Sequence, residues 1–250
     1  MITGASSGLG EAISIELAKK GYNLKLIARS ESKLMTLKKQ LMQSYEIKVD
    51  VIVMDLLDET AVWSLITHHS KDVEVLVNNA GIGYLGTFDE LSFDQHNQIL
   101  QLNVKTLQML TYYFLQQFKQ QDKGYILNIA STAAFSSGPL MASYYASKAY
   151  VLSLGEAISE ELKQIKSNVI VSTCCPGPIN TSFHQRANIK ATRSMPSAQQ
   201  VAKQAVEHLF KKKSLVIIGG DNQLLIQLNR LMPRRLTRYL VYKNQVKKTR

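Results

Sequence analysis

Ser131, Tyr144 and Lys148 are the residues whose types and spacing most plainly allow chemistry. The tyrosine follows the serine by thirteen positions and the lysine follows the tyrosine by four, in Asn128-Ile-Ala-Ser131 and Ser143-Tyr-Tyr-Ala-Ser-Lys148. Positions i and i+4 share one face of a helix, so the spacing points Tyr144 and Lys148 into one site. An ammonium beside a phenol favours the phenolate, which predicts a tyrosine pKa below the ordinary value of about 10. Such a tyrosine gives up its proton near neutral pH. Ser131 can hydrogen-bond the oxygen that receives it. Tyr-x-x-x-Lys alone arises by chance in many helical proteins, so its surroundings decide its meaning.

The elements that would position these side chains begin at the N-terminus. Thr3-Gly4-Ala5-Ser6-Ser7-Gly8-Leu9-Gly10 is a glycine-rich turn running into Ala12, Ile13, Leu17 and Ala18, whose spacing predicts a helix. Glycines let a backbone approach a pyrophosphate, and a helix N-terminus offers unpaired N–H groups and the positive end of a dipole. The bland alternative is a turn with no ligand. Strands are predicted over 24–28, 48–54, 73–77, 125–130, 169–174 and 215–218. Helices are predicted between them over 9–20, 30–44, 59–68, 94–120, 143–166 and 198–210. This alternation predicts an α/β fold, a doubly wound parallel sheet with helices on both faces in one domain.

In these motifs the chain resembles the short-chain dehydrogenase/reductase family. Further landmarks occur in the family's order: Asn78-Asn79-Ala80-Gly81 after a strand, Asn103 in Leu102-Asn103-Val104, and Pro176-Gly177-Pro178-Ile179 with Thr181 after a later strand. The glycine spacing sets the chain apart from the family's extended branch. The resemblance implies a Rossmann-like three-layer fold and hydride transfer between a nicotinamide dinucleotide and a carbonyl or alcohol. It implies Tyr144 as acid in reduction and base in oxidation, and Ser131 as the residue that orients the substrate oxygen. Lys148 would tune Tyr144 and bind the nicotinamide ribose. Asn103 would kink its helix and hold a water linking Lys148 to solvent. The cofactor would be held by Gly4, Ser6, Ser7, Gly8, Leu9, Gly10, Arg29, Asp55, Asn79, Ala80, Gly81, Pro176, Gly177, Ile179 and Thr181, together with Tyr144 and Lys148. A catalytically impaired regulatory or scaffold protein of the same fold is the alternative. The intact Asn103, Ser131, Tyr144 and Lys148 set favours the enzyme.

Charge argues for the cofactor's identity. The acidic residue that would hold the adenosine ribose of NAD is expected at the end of the second strand. Ala28 stands there, followed by Arg29. A guanidinium pairs with a 2′-phosphate, so NADP(H) is expected over NAD(H). Asp55 matches the position that contacts the adenine amino group; capping the next helix is its structural alternative. Tyr145, about 100° around the helix from Tyr144, reads as packing or substrate contact.

At 250 residues with 45% hydrophobic content, one α/β domain is expected over 1–221, with a substrate loop at 180–198 that includes His184. The first strand is the departure. Only Met1 and Ile2 precede the Thr-Gly pair, where such a central strand usually has about five apolar residues. Either an upstream start or a truncation fits. Met1-Ile2-Thr3-Gly4 shows no signal-peptide pattern, and no apolar run reaches the roughly 18 residues of a membrane span. Cys174 and Cys175 are adjacent and read as reduced residues at a strand end. These features fit a cytoplasmic protein, and the five histidines show no metal-ligand spacing.

The net charge is +11, and eight basic residues with no acid lie in 222–250, expected as a basic helical extension. Such a tail can rest on the inner face of an anionic membrane, pack on the body or a partner, or stay solvated. No motif accompanies it that would indicate specific nucleic-acid binding. The family resemblance implies a homodimer or homotetramer built on the helices at 94–120 and 143–166. The second of these carries Ala146, Ala149, Ser153, Gly155 and Ala157.

Overall fold

The structure, a computed structural model, describes residues 1–179 and 195–249. Thr181, His184 and most of the expected substrate loop lie outside them. Among the described residues, seven parallel strands form one sheet in the order β3-β2-β1-β4-β5-β6-β7. They are β1 (Ile2–Thr3), β2 (Leu24–Ala28), β3 (Val49–Val53), β4 (Val75–Asn78), β5 (Gly124–Ile129), β6 (Val169–Pro176) and β7 (Leu215–Ile218). The helices are α1 (Gly8–Ala18), α2 (Glu31–Ser44), α3 (Glu59–His69), α4 (Phe93–Leu100), α5 (Leu107–Gln121), α6 (Ala142–Gln164), α7 (Ala198–Phe210), α8 (Gly220–Leu231) and α9 (Arg234–Thr249).

Alternation along the strands builds two cores. Leu26, Val77 and Leu127 face one side, where α1, α2 and α7 bring Ile13, Leu34 and Val206. Ile27, Leu76 and Ile126 face the other, where α3, α5 and α6 bring Leu65, Phe114 and Leu162. This is the three-layer architecture expected from the sequence. The direction of winding reverses between β1 and β4. At such a switch point the strand ends leave a crevice for ligands.

The central strand β1 is two residues long. Ile2 is aligned with Leu26 on one side and Val77 on the other, and Val77 N donates to Met1 O at 2.9 Å. Beyond the last pair, Thr3 Oγ1 accepts from both Asn79 N (3.0 Å) and Ala80 N (3.1 Å). A side chain thereby continues the β1–β4 stitching past the end of the ladder.

Three expectations are corrected. The helix predicted over 94–120 is broken by a π-helical turn, Gln101–Thr106, between α4 and α5. A π turn carries a wider backbone ring than the α pattern, and Asn103 sits in it. Gly155 does not belong to a partner-facing stripe. A Cβ there would lie 2.0 Å from Thr173 Oγ1, so this glycine is where α6 approaches β6. Finally, the cap of α3 is Asp58, whose Oδ1 accepts from Thr60 N at 2.8 Å, and not Asp55. Cys174 and Cys175 are free thiols buried in β6, and burial pushes the Cys175 thiol up to about 12.

Candidate active site

One cleft of about 590 Å³ runs along the carboxyl ends of the strands. Its first end is built by the glycine turn. Gly4 has φ +66°, and a Cβ at Gly10 would lie 2.3 Å from Gly4 O, so the turn folds closely onto itself only because both are glycines. Asn79 Nδ2 donates to Thr3 O at 2.9 Å and Gly4 O at 3.2 Å, pinning the turn to the end of β4. The helix α1 starts at Gly8 and aims its N-terminus at the cleft wall formed by Gly4, Ser6, Ser7, Gly8 and Leu9. Unpaired N–H groups at such a terminus suit a pyrophosphate.

At the end nearest β2 and β3, Ala28, Arg29 and Asp55 all line the cleft. Arg29 Nη1 lies 3.7 Å from Asp55 Oδ2, with both side chains well exposed. Asp55 Oδ1 also accepts from Leu57 N at 3.0 Å. Lys33, which the sequence reading passed over, lines the same end. It lies in the first turn of α2, and its basic charge close after Arg29 was the available signal.

The other end holds the Tyr-Lys pair. Tyr144 lies in the first turn of α6 and Lys148 one turn later. Lys148 is buried, and its Nζ donates to Ile129 O at 2.9 Å while lying 5.8 Å from the centre of the Tyr144 ring. Ser131, two residues past β5, caps a 3₁₀ turn, Thr132–Phe135, accepting from Ala133 N at 3.1 Å. It also hydrogen-bonds the Tyr144 phenol. Behind this group the buried Asn103 locks the π turn to the loop after β4. Its Oδ1 accepts from Ile82 N (2.9 Å), and its Nδ2 donates to Ile82 O (2.9 Å) and Ser147 Oγ (3.0 Å). Gly81 closes the gap: a Cβ there would be 3.2 Å from Asn103 Oδ1 and 3.4 Å from Lys148 Nζ.

The electrostatics correct the expectation of an acidic tyrosine. Burial pushes the Tyr144 phenol up to about 12, and the hydrogen bond from Ser131 only partly opposes this. Burial also pulls Lys148 down to about 8. The ammonium is engaged with the Ile129 carbonyl, so desolvation outweighs its pull on the phenol.

Of the residues predicted for the site, Gly10 and Asn103 stand behind the cleft wall, and Pro176, Gly177 and Ile179 line it with the others. The sequence reading missed Gln245 of α9. Its Nε2 donates to Tyr145 Oη at 2.6 Å, so the C-terminal helix closes the wall beside Tyr144. Ile82, Tyr84, Leu102 and Met141 give this end a largely apolar lining, with Tyr84 Oη donating to Gln98 Oε1 at 2.8 Å.

A parallel sheet with a glycine turn at its switch point has the architecture of a dinucleotide-binding fold, and a Tyr-Lys pair stands in the adjoining crevice. The family model for short chain dehydrogenase matches residues 1–192, and the chain belongs to that family. It is 30% identical over 219 residues to hydroxysteroid dehydrogenase-like protein 1 of Gallus gallus, which covers 85% of this chain and 66% of that protein. The chain therefore spans about two thirds of that relative's length. It is 26% identical to a 7beta-hydroxysteroid dehydrogenase of Mediterraneibacter gnavus, covering 88% and 85%. Among solved structures, a short-chain dehydrogenase from Sphingobium yanoikuyae in complex with NADPH matches with 25% identity and a TM-score of 0.84, covering 92% of each chain. A short chain dehydrogenase/reductase from Burkholderia phymatum in complex with NAD shares the fold, with 24% identity, a TM-score of 0.82 and 92% and 91% coverage.

Proposed function

We propose that this protein reduces a carbonyl on a bulky apolar molecule to an alcohol, or runs the reverse reaction, with NADP(H) preferred over NAD(H). The observation that carries the reading is the convergence of Ser131, Tyr144 and Lys148 at one end of a cleft whose other end bears Arg29 and Lys33 without an acid at position 28. The glycine turn and the α1 N-terminus would hold the pyrophosphate, Arg29 and Lys33 a 2′-phosphate, and Lys148 the nicotinamide ribose. When bound, the dinucleotide supplies the hydride.

The chain's own groups do the rest. Ser131 Oγ and Tyr144 Oη, whose side chains interact, would share a carbonyl oxygen. As the carbonyl carbon gains hydride, its oxygen becomes an alkoxide and takes the Tyr144 proton. An alkoxide is a stronger base than a phenolate, so the transfer is downhill even for a phenol at about 12. Lys148 holds positive charge beside the phenolate left behind, and Asn103 fixes the loop against which that ammonium sits. The apolar lining from Ile82, Leu102 and Met141 suits a hydrocarbon skeleton, in keeping with the hydroxysteroid dehydrogenases among the relatives. We further infer a homodimer or homotetramer built on the α5 and α6 faces, where Tyr112, Tyr150, Ala146 and Ser153 are exposed.

The test is Tyr144→Phe assayed on a panel of steroid and other bulky ketones. Turnover should fall at least about 100-fold, the usual contribution of a positioned proton donor, while NADPH affinity stays nearly unchanged. Full turnover in the variant would assign the proton to another group.

A further inference from the structure

The helix α9 closes the wall at the Tyr144 end of the cleft through Gln245, and the outer face of α8 and α9 is unlike the rest of the surface. Eight of the eighteen exposed large apolar side chains among the described residues are here: Leu224, Leu225, Leu228 and Leu231 on α8, and Leu236, Tyr239, Leu240 and Tyr242 on α9. Leu231 is 85% exposed and Leu224 62%. The helices are anchored from beneath by other residues. Ile226, Thr237 and Gln245 are the buried ones, and Gln245 reaches Tyr145 Oη at 2.6 Å. On α9, Leu236, Tyr239, Leu240 and Lys243 follow the i, i+3, i+4, i+7 spacing of a single stripe. The apolar side of this segment is therefore turned away from the protein body.

Charge selects what meets that face. Arg230, Arg235 and Lys243 are interleaved with the leucines, Arg234 and Arg238 border a hollow between α9 and the body beside Phe135 and Tyr145, and 222–250 holds no acid. Among the described residues none of these five cations is in an ion pair, so their charge is uncompensated. A second copy of the chain would bring the same five cations against them across an isologous interface. An anionic lipid surface would neutralise them and admit the leucines and tyrosines into its headgroup region. No helix among the described residues is long and apolar enough to cross a membrane, so the contact lies in the plane of the surface.

We propose that the α8–α9 face docks this protein on anionic bilayers and thereby holds the substrate end of the cleft at the lipid boundary. The first half stands on the surface alone. The second rests on the oxidoreductase reading, because it supplies an apolar carbonyl compound from the bilayer to the wall that Gln245 and Tyr145 form.

Co-sedimentation of the full chain with phosphatidylglycerol vesicles at low salt should bring most of it down. Neutral phosphatidylcholine vesicles should bring down at least about tenfold less, and raising the salt should release it, since screening shortens the reach of these charges to about 8 Å at physiological ionic strength. A variant with Leu224→Ser, Leu228→Ser and Leu231→Ser should lose the binding that persists at moderate salt. One with Arg230→Glu, Arg235→Glu and Lys243→Glu should lose nearly all of it. Thermal unfolding checks that both variants fold, and the lipid and salt dependence of the unmodified chain stands as a test even if either does not. Equal partitioning to neutral and anionic vesicles, or none to either, overturns the proposal. So does a drop in mass by light scattering in the leucine variant with vesicle binding unchanged, which would assign the face to a second copy. Because sedimentation needs no turnover, failure of the docking and failure of the enzymatic reading are separate results. If docking holds and turnover of a vesicle-partitioned ketone is no faster with anionic than with neutral vesicles, the delivery half is wrong.

Discussion

Replacing Lys148 with methionine should make the protein more stable and inactive at once. The lysine is buried, and its pKa falls from 10.5 in an exposed chain to about 8 in the fold. The folded protein therefore binds this proton less well than the unfolded chain does. The resulting penalty is full below about pH 8, fades as pH rises toward 10.5 and is absent above it. At 1.36 kcal/mol per pH unit the gap amounts to roughly 3 kcal/mol. Methionine fills a similar volume without the charge, although the 2.9 Å bond to Ile129 O is lost, which takes back about 1 kcal/mol. The net gain is about 2 kcal/mol near pH 7, or about 4–8 °C in Tm for a chain of this size. Thermal unfolding of both proteins at pH 7 and pH 10, beside an NADPH turnover assay, reads the effect. The Tm advantage should shrink at pH 10. A variant no more stable than the parent at pH 7, or equally advantaged at both pH values, would refute the assignment of the shift to buried charge.

Other outcomes follow from the same geometry. Arg29→Asp should lower NADPH affinity by about 10–100-fold, the worth of a charge-assisted bond to a 2′-phosphate, and improve the relative affinity for NADH in titration calorimetry; equal affinities in the unmodified protein would remove the cofactor argument. With the Tyr144 phenol at about 12, alcohol oxidation requires a phenolate that is scarce at neutral pH, so its kcat/KM should climb steadily with pH through 10 while carbonyl reduction holds level through neutrality. A plateau in oxidation near pH 7 would mean that the phenol is far more acidic in the working complex. Light scattering at micromolar concentration should return a dimer or tetramer, and a monomer mass would leave the exposed α5 and α6 faces without their inferred partner.

Most of the layered architecture was legible because each strand and helix carries its own period. Strand patterns such as 24–28 and 215–218 and the helix at 198–210 coincide with β2, β7 and α7, since Asn23, Ser214 and Ser197 precede them and charged residues or Gly219 follow where the pattern stops. The π turn was legible only as the kink that the family resemblance places at Asn103. Leu100 to Leu107 continues an ordinary helical pattern, and what forces the wider turn is a tertiary contact, the double hydrogen bond between Asn103 and Ile82. The same limit applied to Gly155. Small residues on a helix read alike whether they meet a partner or a strand, and only the fold puts Thr173 beneath this one.

The site shows where spacing stops being informative. Tyr144 and Lys148 share a helix face as the i, i+4 rule requires, so their convergence could be read directly. Their protonation could not. The sequence places an ammonium near a phenol but says nothing of the carbonyl that engages it or of the desolvation that acts on both groups. Here desolvation moves the two pKa values toward their neutral forms, opposite to the effect of an ion pair. Gln245 escaped for a related reason. It lies 100 positions from Tyr145, in a tail whose composition drew attention to its charges, and its one polar contact with the cleft forms on the side of α9 opposite to the leucine stripe. In the fold α9 turns Gln245 inward to complete the wall beside Tyr144, while the leucine stripe lies on its other side. The chemistry of the cleft and the chemistry of the surface thus meet in a single helix.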